Sequence, residues 1–310
     1  MTAARTGDKG ARRELGSQIL DACGEVGFLY VTSHGIQWQL LEDCLDAGKT
    51  LFPAPLEDEL KCSASRQHRG YVAFGDARMY GRQQPGQKES FNWALESAES
   101  GDCSLHGRNQ RPRGYPRLEG AGYRYLLETM WCGYLLLRAI AVTLGLDGRF
   151  FERRYEKPIR RGGIIHYPPQ ELSADGDEFG VAPHTDYGCV TSLWQDSSGG
   201  LHVLKKVGDW INAVPVPDSY VVDVGDLRTR WTNGVLSSSA HRRIVNTSGH
   251  DRHSVVVFHY PGYSTVVDPR DVDPLDVPKH PPFGAGEHAF EEFADGFTCR
   301  TPAHRACDSL

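Results

Sequence analysis

The chain has 310 residues, of which 39% are hydrophobic and 24% are charged, a composition typical of a globular protein with a sizeable core. Its formal net charge is −6, and its basic residues occur as short pairs such as Arg160-Arg161, so nucleic acid is not an expected partner. The polar first ten residues predict no signal peptide. Eight scattered cysteines without a C-x-x-C motif predict free thiols in a reducing cytoplasm.

The N-terminal part of the chain alternates helical periodicity with a short β-rich run. Apolar residues recur every four positions and predict a helix over 11–24. Phe28 to Val31 favours a short strand, and the apolar stripe from Leu40 to Leu45 predicts a second helix. Pro53 lies just after this stripe and is expected to end the helix.

The middle of the chain combines a long loop region with the strongest helical pattern. Residues 62–120 are rich in Gly, Arg, Gln and Ser, and 87–93 is their most strand-like stretch. Residues 122–146 show apolar steps of three and four, and Gly145 is placed to cap that helix. The helix carries charged residues, so we expect it to lie in the core, and a membrane is not an expected partner.

From Gly162 onward the pattern changes to short β-branched runs separated by turn signals. The runs lie at 164–167, 189–193, 201–204, 210–214, 220–224, 243–245 and 254–258. They predict an α+β protein built on a double-stranded β-helix, or jelly-roll, barrel with a helical N-terminal region packed on it. We divide the chain into an N-terminal region, 1–120, and a barrel region, 121–310, that includes the long helix and a proline-rich C-terminal extension.

Three residues in the β-rich region have the chemistry of a metal site. His184 and Asp186 are two positions apart, so in a strand their side chains would point to the same side. His241, on a later predicted strand, supplies a second imidazole. Two histidines and one carboxylate on one face of an octahedral ion suit a non-haem Fe(II) oxygenase. The same donors suit zinc, but no candidate general base lies close in sequence, so a zinc hydrolase ranks last.

The order of several short motifs resembles the Fe(II)/2-oxoglutarate-dependent dioxygenases of the isopenicillin N synthase-like family. The motifs that carry the resemblance are Gly27-Phe28-Leu29-Tyr30, His34-Gly35-Ile36, Arg69-Gly70-Tyr71, Lys88-Glu89-Ser90-Phe91, His166-Tyr167-Pro168-Pro169, His184-Thr185-Asp186-Tyr187-Gly188, Val224-Gly225-Asp226, Trp231-Thr232-Asn233-Gly234 and Arg252-His253-Ser254. They span nearly the whole chain. A His-x-Asp pair alone is a weak signal, whereas the ordered set is specific to this family.

The resemblance implies a ligand set and a co-substrate site. It implies that His184, Asp186 and His241 bind the iron. It also implies that Arg252 and Ser254 hold the distal carboxylate of 2-oxoglutarate, and that Tyr167 helps to orient that co-substrate. A guanidinium fork pairs bidentately with a carboxylate, which fits the role given to the arginine. The family often has Asn two residues before this tyrosine, where the chain has Ile165.

The activity that the resemblance implies uses Fe(II), 2-oxoglutarate and O2, with ascorbate as an optional reductant. Decarboxylation of 2-oxoglutarate to succinate and CO2 would be coupled to hydroxylation, desaturation or cyclisation of a small molecule in specialised metabolism. Three alternatives stay open. One is a 2-oxoglutarate-independent oxidase of the isopenicillin N synthase or aminocyclopropane carboxylate oxidase type. The others are ethylene-forming fragmentation of 2-oxoglutarate and a sensor module that only holds a ligand.

Substrate contacts are expected from the middle segment and from the barrel strands. The candidates are Arg78, Tyr80, Phe91, Trp93, Tyr187 and Trp194. A guanidinium such as that of Arg78 could pair with a substrate carboxylate, which favours an amino-acid-like or other carboxylate-bearing substrate.

Overall fold

The computed structural model describes residues 4, 7–65, 67–77, 86–97, 105–112, 114–171 and 179–296. In chain order its regular elements are α1 (Lys9–Glu25), β1 (Phe28–Thr32), α2 (Trp38–Leu51), α3 (Leu56–Leu60), β2 (Gly70–Val72), β3 (Glu89–Ala94), α4 (Pro116–Thr143), β4 (Pro158–Tyr167), β5 (Phe179–His184), β6 (Val190–Gln195), β7 (Leu201–Leu204), β8 (Trp210–Asn212), β9 (Ser219–Val224), α5 (Asp226–Trp231), β10 (His241–Ile244), β11 (Arg252–Gly262), β12 (Val266–Val267), β13 (Phe283–Gly284) and α6 (Ala285–Gly296). Short 3-10 turns lie at Glu152–Arg154 and Pro269–Asp271.

The first helix begins with a side-chain cap and buries one face. The Asp8 carboxylate accepts hydrogen bonds from the backbone N–H groups of Gly10 and Ala11, at 2.8 and 3.1 Å. At Gly16 a Cβ atom would lie 1.9 Å from the hydroxyl oxygen of Thr143, so only glycine lets α1 approach α4 this closely. The helix predicted from its four-residue period is confirmed.

The longest helix, α4, lies between the N-terminal helices and the larger sheet. Proline occupies its first turn, and Gly145, at φ +76°, follows its end with the Leu146 N–H donating to the Ala141 carbonyl at 2.9 Å. By length and composition α4 could cross a membrane. However, 56% of its apolar window is buried within the protein, and it packs on α1 and α2. The predicted core helix with a glycine cap is confirmed.

Two antiparallel sheets form the barrel. The larger has the strand order β1-β9-β6-β11-β4-β3-β2, and the smaller has the order β5-β10-β7-β8. Side chains of both sheets line one cavity, so the sheets face each other as the two walls of a jelly roll. The predicted α+β fold with a helical N-terminal region is confirmed. The larger sheet takes β1, β2 and β3 from the predicted N-terminal region, and the division at residue 120 stays a prediction.

Strand parity decides which residues reach the cavity. On β11 the even-numbered residues Val256 and Phe258 face the cavity, whereas the odd-numbered Val255 and Val257 are fully buried in the core. β11 pairs with β4 on one side and with β6 on the other. The centre of the larger sheet is therefore a wall with one face toward the cavity and the other toward the apolar core.

Candidate metal and co-substrate site

Two imidazoles and one carboxylate converge at one end of the smaller sheet. His184 ends β5, His241 begins β10, and the two residues are paired across the strands. Their Nε2 atoms each lie 3.8 Å from Oδ1 of Asp186. One ligand atom from each of the three residues lies within 4.8 Å of the others, which is close enough for one metal ion to bind all three.

The carboxylate of this cluster does not come from a strand, which corrects the sequence prediction. β5 ends at His184, and Asp186 lies in the loop that follows. Its carbonyl accepts a hydrogen bond from the Asp226 N–H at 2.7 Å, and the Thr185 hydroxyl donates to the Asp226 carboxylate at 2.8 Å. These contacts hold the loop against the start of α5. The carboxylate therefore reaches the imidazoles because the loop turns, rather than because strand side chains alternate.

Burial keeps both imidazoles in the neutral form that binds metals. Burial, reinforced by the neighbouring His241, lowers the pKa of His184 to about 3, and burial lowers the pKa of His241 to about 4. Nδ1 of His184 lies 2.8 Å from the Ala182 carbonyl, an acceptor, so the ring proton is on Nδ1 and the Nε2 lone pair faces the cluster. Two neutral imidazoles and a carboxylate fit Fe(II).

A second polar group lies on β11 and β4 at the other end of the cavity. Arg252 is 1% exposed, pairs across the strands with Tyr167, and lies with its guanidinium carbon 4.5 Å from the centre of the tyrosine ring. Its Nε donates to the Gly199 carbonyl at 3.2 Å. Within the described chain, Nη1 of Arg252 and the hydroxyl of the fully buried Ser254 have no hydrogen-bond partner. Buried donors without partners are costly, and a carboxylate would satisfy them.

Sequence reasoning missed a second arginine at this end, Arg243. It lines the cavity with its guanidinium carbon 5.5 Å from the centre of the Tyr167 ring. Burial and then the charge of Arg252 lower the pKa of Arg243 to about 9. At Gly200, which has φ +81°, a Cβ atom would lie 1.4 Å from Nη1 of Arg243. The sequence could have predicted this position, because Arg243 is two residues after His241 in a predicted strand and therefore points to the same side.

Of the predicted substrate contacts, the structure places Tyr187 in the cavity wall and Phe91 and Trp93 outside it. Both outside residues are 1% exposed core residues on the far face of β3. Trp93 packs so closely on α4 that a Cβ at Gly122 would lie 2.8 Å from its ring. The prediction that these two aromatic residues contact substrate is corrected, because it chose the wrong face of the strand.

The other predicted aromatic contact, Trp194, also points away from the cavity. It pairs with Val255 on the core side of β11, and its ring lies 6.1 Å from that of Trp38. Its role is packing against the start of α2, which corrects the prediction. Arg78 and Tyr80 lie outside the described residues.

The cavity measures about 1130 Å³ including its open mouth and contains groups that sequence reasoning did not select. Lys88, Ser90 and Asn92 face it from the end of the larger sheet, and Phe293 of α6 covers the side near Tyr187. Asp223 of β9 also faces it. Burial and the nearby Asp186 carboxylate raise the pKa of Asp223 well above its usual range.

Comparison with known proteins agrees with this geometry. Residues 155–261 match the model of the 2OG-Fe(II) oxygenase superfamily, and residues 2–114 match the model described as "non-haem dioxygenase in morphine synthesis N-terminal". A 2-oxoglutarate-Fe(II) type oxidoreductase of Aspergillus fumigatus is 30% identical over 262 residues, which cover 81% of this chain and 77% of that protein. A homoarginine-6-hydroxylase of Glycine max is 31% identical over 271 residues, covering 83% and 81%.

The fold has a counterpart among solved structures. The crystal structure of a full-length Neurospora crassa protein, in complex with alpha-KG and thymine, superposes with a TM-score of 0.83 at 25% identity and covers 94% of each chain. The chain belongs to the 2-oxoglutarate- and Fe(II)-dependent oxygenase superfamily, as the ordered motifs predicted. It is a dioxygenase that uses Fe(II), 2-oxoglutarate and O2, and it couples decarboxylation of 2-oxoglutarate to oxidation of a small-molecule substrate.

Proposed function

We propose that His184, Asp186 and His241 hold the iron, that Arg252 and Ser254 hold the distal carboxylate of 2-oxoglutarate, and that Tyr167 helps to orient that co-substrate. Two neutral imidazoles and a carboxylate converge in the wall of one cavity. The same cavity contains the Arg252 guanidinium, which has a buried hydrogen-bond donor without a partner in the described chain. These two observations together carry the proposal. Bound there, Fe(II) supplies the redox chemistry that activates O2 at the expense of 2-oxoglutarate.

The protein's own groups position the reactants and exclude water. The Ala182 carbonyl fixes the His184 tautomer, and the guanidinium of Arg252 offers a fork to a carboxylate. Apolar side chains such as Leu201, Val221 and Val256 line the wall between the two polar groups. Hydroxylation, desaturation or cyclisation then depends on which substrate carbon the cavity presents to the metal.

The substrate is a small molecule, and the finer proposal is that it is amino-acid-like or otherwise bears a carboxylate. The name of the soybean relative, a homoarginine hydroxylase, supports this class, as do the cationic side chains of Lys88 and Arg161 in the cavity wall. We place the reaction in specialised metabolism, with ascorbate as a reductant that keeps the iron ferrous. A screen of candidate substrates, scored by succinate formed above the uncoupled rate, tests the proposal.

We place the enzyme in the cytoplasm. Five cysteines of the described chain are buried and take part in no disulfide bond, which supports a reducing compartment. Fractionation of the producing cells, with the protein followed by immunoblot, tests this placement. Recovery in a membrane or secreted fraction contradicts it.

The decisive experiment is an anaerobic titration of purified protein with Fe(II) and then with 2-oxoglutarate. We expect a weak visible charge-transfer band when the 2-oxoacid is added. His184→Ala should abolish iron binding, the band and all product, whereas the exposed His280→Ala should retain them. Iron bound without any band in the wild-type protein favours the 2-oxoglutarate-independent oxidase, and normal iron binding by His184→Ala contradicts the ligand assignment.

A further inference from the structure

A row of polar side chains faces the cavity from β3, which lies next to the edge strand β2 of the larger sheet. Ser90 and Asn92 are two positions apart on β3, so both side chains face the cavity. Lys88, the residue just before the strand, extends the same row. The Asn92 amide donates to the Ser90 hydroxyl at 3.4 Å. Gly163 on the neighbouring strand leaves room for that amide, because a Cβ there would lie 2.6 Å from the Asn92 side-chain oxygen.

The backbone holds Lys88 in place at the junction of the two sheets. Its N–H donates to the Gly86 carbonyl at 2.9 Å, and its carbonyl accepts from the Gly75 N–H at 3.3 Å. The preceding residue, Gln87, donates to the Phe179 carbonyl at the start of β5, at 3.0 Å. These backbone hydrogen bonds fix the position of the Lys88 main chain, from which the side chain extends to the cavity.

The charges of the cavity wall leave this lysine without a counterion. Four cations of the described chain line the cavity, and two of them, Arg243 and Arg252, lie beside Tyr167, where the proposed function puts the distal carboxylate of 2-oxoglutarate. Arg161 stacks with its guanidinium carbon 5.0 Å from the centre of the Phe293 ring. Of the two lining acids, Asp186 belongs to the metal cluster and Asp223 lies beside it. Lys88 makes no ion pair with any residue of the described chain.

Burial disfavours the charged form of the Lys88 side chain, and a bound anion would offset that penalty. Burial lowers the pKa of Lys88, and the positive charge of Arg161 lowers it further. Tyr167 and Asp186 offset only part of that change. A bound carboxylate would restore the charged form. The charges of bound Fe(II) and of the 2-oxoglutarate dianion would cancel, which leaves four lining cations against the two lining acids, and an anionic substrate would reduce that excess of positive charge.

We propose that Lys88 binds a carboxylate of the primary substrate and that Ser90 and Asn92 hydrogen-bond the polar groups next to that carboxylate. This assignment rests on the proposed function, since it takes Arg252 as the site of 2-oxoglutarate. It makes β3 the element that selects the substrate and the smaller sheet the element that holds the metal. The substrate class is a small organic acid whose oxidised carbon lies between its carboxylate and the His184–Asp186–His241 cluster.

The test is calorimetric titration of the anaerobic Fe(II)–2-oxoglutarate enzyme with acids and their primary amides. The probes are phenylacetate, indole-3-acetate and N-acetyl amino acids, each paired with the matching amide. We expect at least one acid to bind about 10-fold or more tightly than its amide. Lys88→Met should weaken that acid by about 10-fold or more, because truncating one partner of a buried charge pair costs at least this much. Lys88→Arg should recover part of the loss.

Controls separate this site from the co-substrate site. Lys206 is an exposed lysine between β7 and β8, and the Lys206→Met variant should bind acids as the wild type does. The affinity of Lys88→Met for 2-oxoglutarate should stay within about 2-fold of wild type, since no paired charge is lost at that end. A panel in which no acid exceeds its amide overturns the proposal, and so does a Lys88→Met variant that loses 2-oxoglutarate affinity but keeps its acid preference. Failure of the proposed function would instead appear as a wild-type enzyme that gives no heat with 2-oxoglutarate.

Discussion

In the cavity wall beside Tyr167, one buried guanidinium is the proposed site of the co-substrate carboxylate. Arg252 has a hydrogen-bond donor without a partner in the described chain, and it lies over the ring of Tyr167. We expect Arg252→Ala to raise the apparent KM for 2-oxoglutarate by about 30-fold or more, because losing a buried charge-assisted pair costs roughly 2–5 kcal/mol. Steady-state assays of succinate formation measure this change.

The comparison for that variant is a surface arginine. Arg270 pairs with the neighbouring Asp268 on the surface, and Arg270→Ala should leave the KM unchanged. An unchanged KM in Arg252→Ala would mean that the co-substrate carboxylate binds elsewhere in the cavity.

A histidine on β4, His166, should make stability depend on pH. Burial alone would lower the pKa of His166, but its hydrogen bonds to Glu89 at 2.6 Å and to Asp251 at 2.9 Å outweigh burial and raise it above the ordinary value of about 6.5. A raised pKa means that the folded state holds the proton more tightly. The resulting stabilisation is complete below the unfolded pKa and is lost as the pH rises through the folded pKa.

We therefore expect the contribution of His166 to the free energy of unfolding to fall as the pH is raised from about 6 to 9. Relative to the wild type, the stability of His166→Gln should fall less steeply or rise more steeply with pH, whereas that of His280→Gln, an exposed control, should follow the wild type. Urea denaturation at several pH values measures both. Parallel slopes for the wild type and His166→Gln would show that the Glu89–His166–Asp251 contacts do not titrate with folding.

Single residues also show where sequence reasoning stops. The sequence predicts a strand over 87–93 but not which of its side chains face the cavity, so it favours Phe91 and Trp93 as substrate contacts although Ser90 and Asn92 line the cavity. A shift of one position moves every side chain of a strand to the other face. Which face meets α4 is decided by the neighbouring strands and the helix.

Among the elements, the loop between β5 and β6 and the start of α5 act as one unit. The N–H groups of Gly225, Asp226 and Leu227 donate to the carbonyls of Cys189, Asp186 and Tyr187. A Cβ at Gly225 would lie 2.3 Å from the Gly188 carbonyl oxygen and 2.6 Å from that of Asp186. These atoms are backbone, so they cannot rotate away as a flexible side chain can.

Gly225→Ala should therefore lower the free energy of unfolding by about 1–3 kcal/mol, the usual cost of forcing extra volume into packed structure. It should also weaken Fe(II) binding, because the displaced loop carries Asp186. Urea denaturation and Fe(II) titration measure the two effects. Gly24→Ala is the matched control, since nothing lies within 4 Å of its added Cβ. Full Fe(II) affinity in Gly225→Ala would mean that the contacts between α5 and the loop do not position Asp186 for metal binding.

The helices and strands with a strong apolar period were predictable from the sequence. The short strands that form only because a neighbouring strand pairs with them were not. Apolar steps of three and four predicted α1, α2 and α4, and β-branched runs predicted strands at β4, β6, β7, β9 and β11. The three-residue strand β2 and the two-residue β12 and β13 are too short to show a period. β5 was not predicted as a strand in its own right, because it mixes Gly, Ala and Pro with a single valine.

In the molecule as a whole, the proposed ligands connect elements that are far apart in the chain. His184 and His241 belong to the smaller sheet, Arg252 belongs to the larger sheet, and Asp186 lies between them. Metal and co-substrate together should hold the two walls of the barrel to each other. Ligands that bind only the folded state stabilise it by mass action.

We expect the Tm to rise by roughly 8 °C when Fe(II) and 2-oxoglutarate are each present at 100 times Kd under anaerobic conditions, since each contributes about 2.7 kcal/mol. Differential scanning fluorimetry measures the shift. EDTA should remove it, and His184→Ala should not show it. An equal shift in the wild type and in His184→Ala would place the stabilising ion outside this cluster.

The sequence by itself determined the family, the residues proposed as metal ligands and most long elements of this protein. It could do so because ordered motifs and apolar periods are local properties of the chain. Tertiary structure decided which face of β3 meets the cavity, that Asp186 reaches the metal cluster from a loop, and that Arg243 joins Arg252 beside Tyr167. These outcomes depend on strand register, on loop contacts with α5 and on which side chains are buried together. All three are set by residues distant in the sequence.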